Sequence, residues 1–356
     1  MTDPRITLGS RTLTARSRPY VIAEIGVNHE GSVATAKKLI DLAKEGGADA
    51  AKFQTYKAHT LASKHSPAYW DTSKEPTPSQ YELFRKYDAF GSREYEMLAE
   101  HCAQTGIDFA STPFDDDAVS MLAPLMSFFK IASADLTNTP LLRRVARTGK
   151  PIVLSTGAST MEEVDWAVRT LRAAGAKDVA LLHCILNYPT ANENANLRML
   201  NDLRRAFPQC ILGYSDHTVP SPRLNTLVAA WLSGAVILEK HFTHDKSLPG
   251  NDHYHAMNVD DLKEFRRVVD EIAPLLGTTD RKEPLESEQI SRLNARRSIV
   301  IARDLPAGHV IAESDITYKR PGTGVSPMFW DEVIGLTTRH ALDADHVLQW
   351  SDVAEQ

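Results

Sequence analysis

Short apolar runs alternate with amphipathic stretches along most of the chain. Runs at 21–26 (VIAEIG), 48–55 (ADAAKFQT), 106–112 (GIDFAST) and 128–133 (FFKIAS) predict strands. So do 151–156 (PIVLST), 179–184 (VALLHC), 210–215 (CILGYS) and 235–241 (AVILEKH). Helical periodicity follows them, for example over 33–47, 92–106, 161–175 and 259–277, and several of these stretches end in glycine, a common helix stop. Eight strand–helix units in succession predict an α/β fold, a (β/α)8 TIM barrel; a doubly wound sheet is the other fold this order would allow. The stretch 56–90 is longer than a usual strand-to-helix connection and predicts a lid or rim over the site.

The pattern changes after Gly277. Residues 278–294 (TTDRKEPLESEQISRLN) are polar and charged and read as a linker with a helical portion. A small β-rich unit follows over 295–356, with Pro and Gly marking turns at DLPAGH and RPGTG. The predicted organisation is therefore a catalytic barrel over 1–277, a linker over 278–294 and a β-rich domain over 295–356. At roughly 60 residues the last unit has only a small core. No repeat or low-complexity segment stands out.

Composition narrows the class. The chain has 356 residues, 42% hydrophobic and 24% charged, with a net charge of -6. That balance suits a globular enzyme and argues against nucleic-acid binding. Three widely spaced cysteines, Cys102, Cys184 and Cys210, lack any CxxC pattern and suit a reducing compartment. The first residues carry no signal-peptide core, and no segment reaches the ~20 apolar residues needed to span a bilayer. The expectation is a cytoplasmic protein without a membrane partner.

Polar residues collect where the predicted strands end, which in a barrel is the catalytic face. His217 in GYSDHT and His241 in LEKHFT each follow another polar residue, Ser215 and Glu239, by two positions. Residues i and i+2 share one face of a strand. Two strand-end imidazoles in an oxygen-rich site suit one divalent ion, Mn2+ or Mg2+, with positions left open for water and substrate. Two unrelated histidines, each bonded to a carbonyl, would be the plainer alternative. The other strand ends supply Glu24, then Lys52 and Gln54, Thr112, Lys130, Ser133 and Asp135, and Ser155. A lone lysine in a strand is explained by a salt bridge across the barrel, with Glu24 or Glu239 as partner. Two lysines together with a ring of hydroxyls suit a dianionic phosphate.

At this point AEIGVNHEGS, KFQT, STPFD, KIAS, LSTGAS, LLHC followed by NYPT, YSDHT, LEKHFT and KRPGTG resemble the sialic acid (N-acetylneuraminate) synthase family in order and spacing. The resemblance covers nearly the whole chain. It implies a phosphoenolpyruvate-dependent barrel followed by an antifreeze-like (SAF, β-clip) domain. It further implies condensation of phosphoenolpyruvate with an open-chain N-acyl hexosamine, giving a nonulosonic 2-keto-3-deoxy acid and phosphate. By motif, His217 and His241 resemble the metal ligands. Lys52, Thr112, Lys130, Ser133, Ser155 and Ser215 resemble phosphoenolpyruvate-binding residues. Glu24, Gln54, Tyr188 and Asp252 resemble groups around the sugar, with Glu24, Gln54 and Asp135 as the catalytic candidates. Arg320 resembles the arginine that one subunit offers to its neighbour in a domain-swapped homodimer. Two positions depart from the pattern: Ala134-Asp135 stands where the family has Gly-Glu, and Leu186 where it often has Asn. These departures bear on which sugar is accepted. A catalytically silent sugar-phosphate binding protein, a synthase of another 3-deoxy-2-keto acid and a metal-dependent phosphohydrolase are the competing readings. Phosphate release from phosphoenolpyruvate that requires an added sugar separates them.

Overall fold

The computed structural model describes residues 4–70, 72–73, 75–250 and 252–355, and the chain forms two compact units that meet in sequence at Gly277 and Thr278. The first begins with a hairpin, β1 (Arg5–Leu8) against β2 (Arg11–Thr14). Eight parallel strands follow: β3 (Tyr20–Gly26), β4 (Ala50–Thr55), β5 (Asp108–Pro113), β6 (Phe129–Ile131), β7 (Ile152–Ser155), β8 (Val179–Cys184), β9 (Ile211–Asp216) and β10 (Ile237–His241). They pair in the order β5-β4-β3-β10-β9-β8-β7-β6, and β5 and β6 also lie side by side. The result is the expected (β/α)8 barrel rather than a doubly wound sheet.

Helices separate the strands. They are α1 (Val33–Gly46), α2 (Ala58–Leu61), α3 (Gln80–Tyr87), α4 (Ser92–Thr105), α5 (Asp116–Leu122), α6 (Thr139–Ala146), α7 (Met161–Ala173), α8 (Met199–Ala206), α9 (Asn225–Leu232) and α10 (Val259–Leu276). Side chains fix their starts: Ser32 caps α1, Thr160 and Glu163 form a capping box on α7, and Asn258 and Asp261 form one on α10. No helix among the described residues is long and apolar enough to cross a membrane.

The period-two alternation of the strands builds the site. Outward positions such as Val21, Ala23, Phe53, Leu154, Leu181 and Leu238 pack against helix residues such as Leu39, Leu98, Val145, Leu171 and Phe265. Inward positions are apolar at the start of each strand. Ile22, Ala50, Ala110, Phe128, Val153, Leu182 and Ile237 form one interior cluster, and Ile6, Leu8 and Leu13 of the hairpin join it. The hairpin thus closes the N-terminal end of the barrel. Two residues further along, the same inward positions become Glu24, Lys52, Thr112, Lys130, Ser155, Cys184 and Glu239.

The second unit holds α11 (Gln289–Ala295), α12 (Trp330–Val333) and two antiparallel pairs. These are β11 (Ser298–Ile301) with β12 (Ile316–Lys319), and β13 (Thr337–Thr338) with β14 (Val353–Ala354). Its core includes Ile299, Ile301, Ile311, Val333, Leu348 and Val353. The expectation of no repeat needs correcting here. AGHVIAESDI (307–316) and ADHVLQWSDV (344–353) are equivalent. In both, a histidine bonds an aspartate six residues later, His309 to Asp315 at 2.7 Å and His346 to Asp352 at 2.8 Å. Gly308 and Asp345 both take the left-handed conformation just before the histidine, with φ of 76° and 71°. The repeat is short and interrupted, so composition hides it.

Candidate active site

A cavity of about 440 Å3 opens at the C-terminal ends of the barrel strands. Glu24, Lys52, Gln54, Thr112, Lys130, Ser133, Asp135, Ser155, Tyr188, Ser215, His217 and His241 all line it. Glu239, Cys184 and Leu186 complete its wall. Asp252 lines the adjoining recess, which shares Gln54, Tyr188 and His241 with the cavity. Arg320 lies in the second unit, after β12. The described residues of 56–90 form the rim foreseen there: Leu61, Tyr69, Gln80 and Phe84 face the cavity, and Tyr56, Trp70 and Tyr87 face the recess.

The floor is a buried charge network. Lys52 Nζ lies 2.6 Å from Glu24 Oε2 and 3.8 Å from Glu239 Oε2, and donates to Thr112 Oγ1 at 2.9 Å. Lys130 Nζ is 3.4 Å from Glu239 Oε1, which also accepts from Ser215 Oγ at 2.9 Å. Gln54 Nε2 donates to Glu24 Oε1 at 2.8 Å, and the Gln54 backbone carbonyl accepts from Tyr95 Oη at 2.7 Å. Salt bridges across the barrel are therefore present, and both glutamates serve as partners. Ser155 Oγ is buried with no hydrogen-bond partner, in the same cavity as the two ammonium groups. That orphan donor and the paired lysines fit an anionic ligand.

The two glutamates titrate far apart. Burial raises Glu24 to about 7, against the pull of Lys52, and the charge of Glu239 pushes the same way. Burial also works to raise Glu239, but Lys130 and Lys52 outweigh it and hold that carboxyl at about 2. Two carboxylates around two lysines thus divide into one that stays ionised and one able to hold a proton near neutrality. Burial lowers Lys130 and raises Asp135, whose Oδ1 accepts from Asn138 Nδ2 at 3.0 Å.

Local backbone features position these groups. The pairing of β3 with β4 shifts register between Glu24 and Gly26, and Gly26 has a φ of 55°. This irregularity turns the chain at the end of β3, beside the cavity. After β7, Gly157 N donates to Ser133 Oγ at 2.9 Å. A Cβ at Gly157 would stand 2.9 Å from that oxygen and 3.0 Å from Cys184 Sγ, so only glycine lets the loop approach this closely.

The two strand-end histidines face one another across the mouth, with ring centroids 5.6 Å apart. His217 Nδ1 donates to the Ile185 carbonyl at 2.9 Å, which leaves the Nε2 lone pair available. His241 Nδ1 is buried without a hydrogen-bond partner and lies 3.7 Å from Asp252 Oδ2. The orphaned His241 nitrogen, the His217 imidazole facing it and the nearby carboxylate fit a divalent ion. Tyr188 packs on the His217 ring at 4.2 Å between centroids.

Some polar strand-end residues point elsewhere. His183 bonds the Ala195 carbonyl at 2.8 Å and stacks on Tyr214, away from the cavity. Lys240 and Asp216 form a fully buried pair at 2.7 Å, tied to the Thr218 carbonyl. Alternation explains both, since each neighbours an inward residue. Cys184 and His255 line or adjoin the site although the sequence does not single them out, whereas Glu239 stands where its i, i+2 relation to His241 and its pairing with the lysines put it. His255 sits in the loop GNDHYHAM (250–257), rich in histidine and aromatic character, for which the sequence leaves a solvated loop and a substrate contact equally open.

The fold and this cavity define a class: a barrel enzyme with lysines, carboxylates and imidazoles at its catalytic face and an accessory β domain after it. The chain belongs to the NeuB family, which it matches over residues 39–281, and residues 296–354 match the SAF domain. It is 36% identical over 341 residues to N,N'-diacetyllegionaminic acid synthase of Legionella pneumophila, covering 94% of each chain. It is 31% identical over 338 residues to pseudaminic acid synthase of Helicobacter pylori, covering 94% of this chain and 98% of that one. The crystal structure of N-acetylneuraminic acid (sialic acid) synthetase from Leptospira borgpetersenii, in complex with citrate, superposes with a TM-score of 0.72 at 31% identity. That match covers 81% of this chain and 95% of the other. The chain is an enzyme of this synthase class.

Proposed function

We propose that the enzyme condenses phosphoenolpyruvate with an open-chain aldose of the N-acyl hexosamine type, releasing phosphate and a nonulosonic 2-keto-3-deoxy acid. The observation that carries this reading is the pairing, in one cavity, of an anion-binding floor with two imidazoles at the mouth. Lys52, Lys130, Thr112, Ser133, Ser155 and Ser215 bind phosphoenolpyruvate, with the ammonium groups on its phosphate. His217 and His241 hold a divalent ion, Mn2+ or Mg2+, which when bound supplies Lewis acidity to the acceptor aldehyde.

C3 of phosphoenolpyruvate attacks the aldehyde carbon, and C2 becomes cationic. Water adds to C2, and the adduct loses phosphate by C–O cleavage. Glu24, poised near neutrality and oriented by Gln54, takes one proton of that water and passes it to the alkoxide formed from the aldehyde oxygen, while the remaining hydroxyl proton leaves with the phosphate. Asp135 lies on the same wall and is a second carboxyl for this proton. Tyr188 and Asp252 bound the sugar end. A homodimer in which Arg320 of the partner subunit reaches the site is part of the reading, supported by the family resemblance. Three free, buried cysteines suit the cytoplasm.

The test is phosphate release from phosphoenolpyruvate with a panel of aldoses. Release that requires an aldose, with a matching yield of 2-keto acid, supports the synthase. Release without any aldose would point to a phosphohydrolase, and binding without release to a silent sugar-phosphate binder.

A further inference from the structure

His255 is fully buried, and neither of its ring nitrogens has a hydrogen-bond partner. A neutral imidazole carries one donor and one acceptor, so both capacities go unmet by the protein. The ring stands 4.9 Å from that of His241 and 6.4 Å from that of His217, centroid to centroid. Ligand atoms of His241, Asp252 and His255 all lie within 4.8 Å of one another. Donors that share an ion at ~2.1 Å are at most about 4.2 Å apart, and their ring centroids about 6.4 Å. The three residues therefore close on one ion with a shift below about 1 Å, and the His217 ring is within range of the same ion.

The loop that carries Asp252 and His255 is built into the barrel rim. Met257 N donates to the His241 carbonyl at 2.8 Å, and Thr243 N to the Met257 carbonyl at 3.0 Å. Asn28 Nδ2 donates to the Asp252 carbonyl at 3.3 Å, and Tyr254 Oη to the Tyr188 carbonyl at 3.1 Å. The loop thus runs beside the end of β10, and its two candidate ligands are held against His241 rather than out in solvent.

We propose that Asp252 and His255 join His241 as ligands of the metal, so that three donors from β10 and its following loop hold the ion beside His217. The proposal rests on the reading that the strand-end histidines bind a divalent ion, and it adds two ligands to them. Its consequence is selectivity. Mg2+ favours oxygen ligands and keeps its waters, whereas a set of imidazoles with one carboxylate favours Mn2+, Fe2+, Co2+ or Zn2+. The ion becomes a resident of the barrel rather than one exchanged at each turnover.

The test is calorimetric titration of chelator-stripped, full-length enzyme with Mn2+ and with Mg2+, for wild type, His255→Ala and His217→Ala. Wild type is expected to bind one Mn2+ per chain at least a hundredfold more tightly than Mg2+, and His255→Ala to weaken Mn2+ at least tenfold. Unchanged Mn2+ affinity in His255→Ala, with loss in His217→Ala, overturns this inference and leaves the two-histidine reading standing. Failure of wild type to bind Mn2+ overturns both. If His255→Ala does not fold, electron spin-echo modulation of Mn2+ in His217→Ala decides. Two coordinated imidazoles are expected there; one imidazole, or no bound Mn2+, overturns the proposal.

Discussion

Lys52 and Glu24 form a buried ion pair at 2.6 Å, on register-paired positions of β4 and β3, each side chain only 3% exposed. Removing one partner of such a pair leaves an uncompensated charge in the interior, which costs about 3–5 kcal/mol. Lys52→Ala should therefore destabilise the apoenzyme by that order and abolish phosphoenolpyruvate binding. Lys52→Ala combined with Glu24→Ala should lose less stability than the single lysine variant. Urea unfolding of the variants checks both statements; a double variant weaker than Lys52→Ala would mean that the pair is not the controlling interaction.

The raised Glu24 carboxyl makes stability pH-dependent. Its folded value of about 7 exceeds the ordinary 4.5, so the folded state holds this proton longer than the unfolded chain. The stabilising contribution is complete below about pH 4.5 and is lost as pH rises through 7. Glu24→Gln cannot lose a proton. The stability of that variant relative to wild type should rise across this window, by at most about 3 kcal/mol. Parallel profiles in urea titrations from pH 4.5 to 8 would contradict the assignment. The same substitution should lower kcat far more than it raises KM for phosphoenolpyruvate.

The acceptor sugar should differ from plain N-acetylmannosamine. Leu186 lines the cavity where the family often has Asn, and Asp135 replaces a longer carboxylate on the same wall. Losing a hydrogen bond to substrate costs about 0.5–1.5 kcal/mol, enough for roughly tenfold in preference. A modified aldose should then show the higher kcat/KM, and Leu186→Asn with Asp135→Glu should raise kcat/KM for N-acetylmannosamine by about tenfold. A wild-type preference for N-acetylmannosamine over every alternative would show both departures to be neutral.

Arg320 should act in trans. Arg320→Ala and Lys52→Ala subunits should each be inactive alone, and their mixture should regain activity, because one of the two mixed-dimer sites is complete. Steady-state assays after proven subunit exchange check this; no recovery would place Arg320 outside the neighbour's site.

The barrel and the residues of its floor were legible because one rule governs both. Alternation along each strand sends i and i+2 inward, so Lys52 with Gln54, Ser215 with His217, and Glu239 with His241 reach one cavity. The same rule sends His183 and Lys240 outward, to the Ala195 carbonyl and to Asp216, although they are as polar as their inward neighbours. Partnerships across strands were harder to read, because register is set by the whole barrel. Lys52 meets Glu24 and Glu239 from the two strands that follow β4 in the pairing order. The loop was hardest. Nothing in GNDHYHAM reveals that Met257 pairs beside Phe242 and so turns His255 toward His241. The hairpin at Arg5–Thr14 was also missed, because its three inward residues, Ile6, Leu8 and Leu13, are spaced among polar ones.

The central claim is that phosphoenolpyruvate is consumed by carbon–carbon bond formation with C–O cleavage. The most direct measurement uses phosphoenolpyruvate labelled with 18O at the bridging oxygen, incubated with the enzyme and its preferred aldose. The account predicts that the label leaves in inorganic phosphate, one phosphate for each 2-keto acid formed. Label retained in the keto acid, or labelled substrate consumed without any aldose, would contradict it.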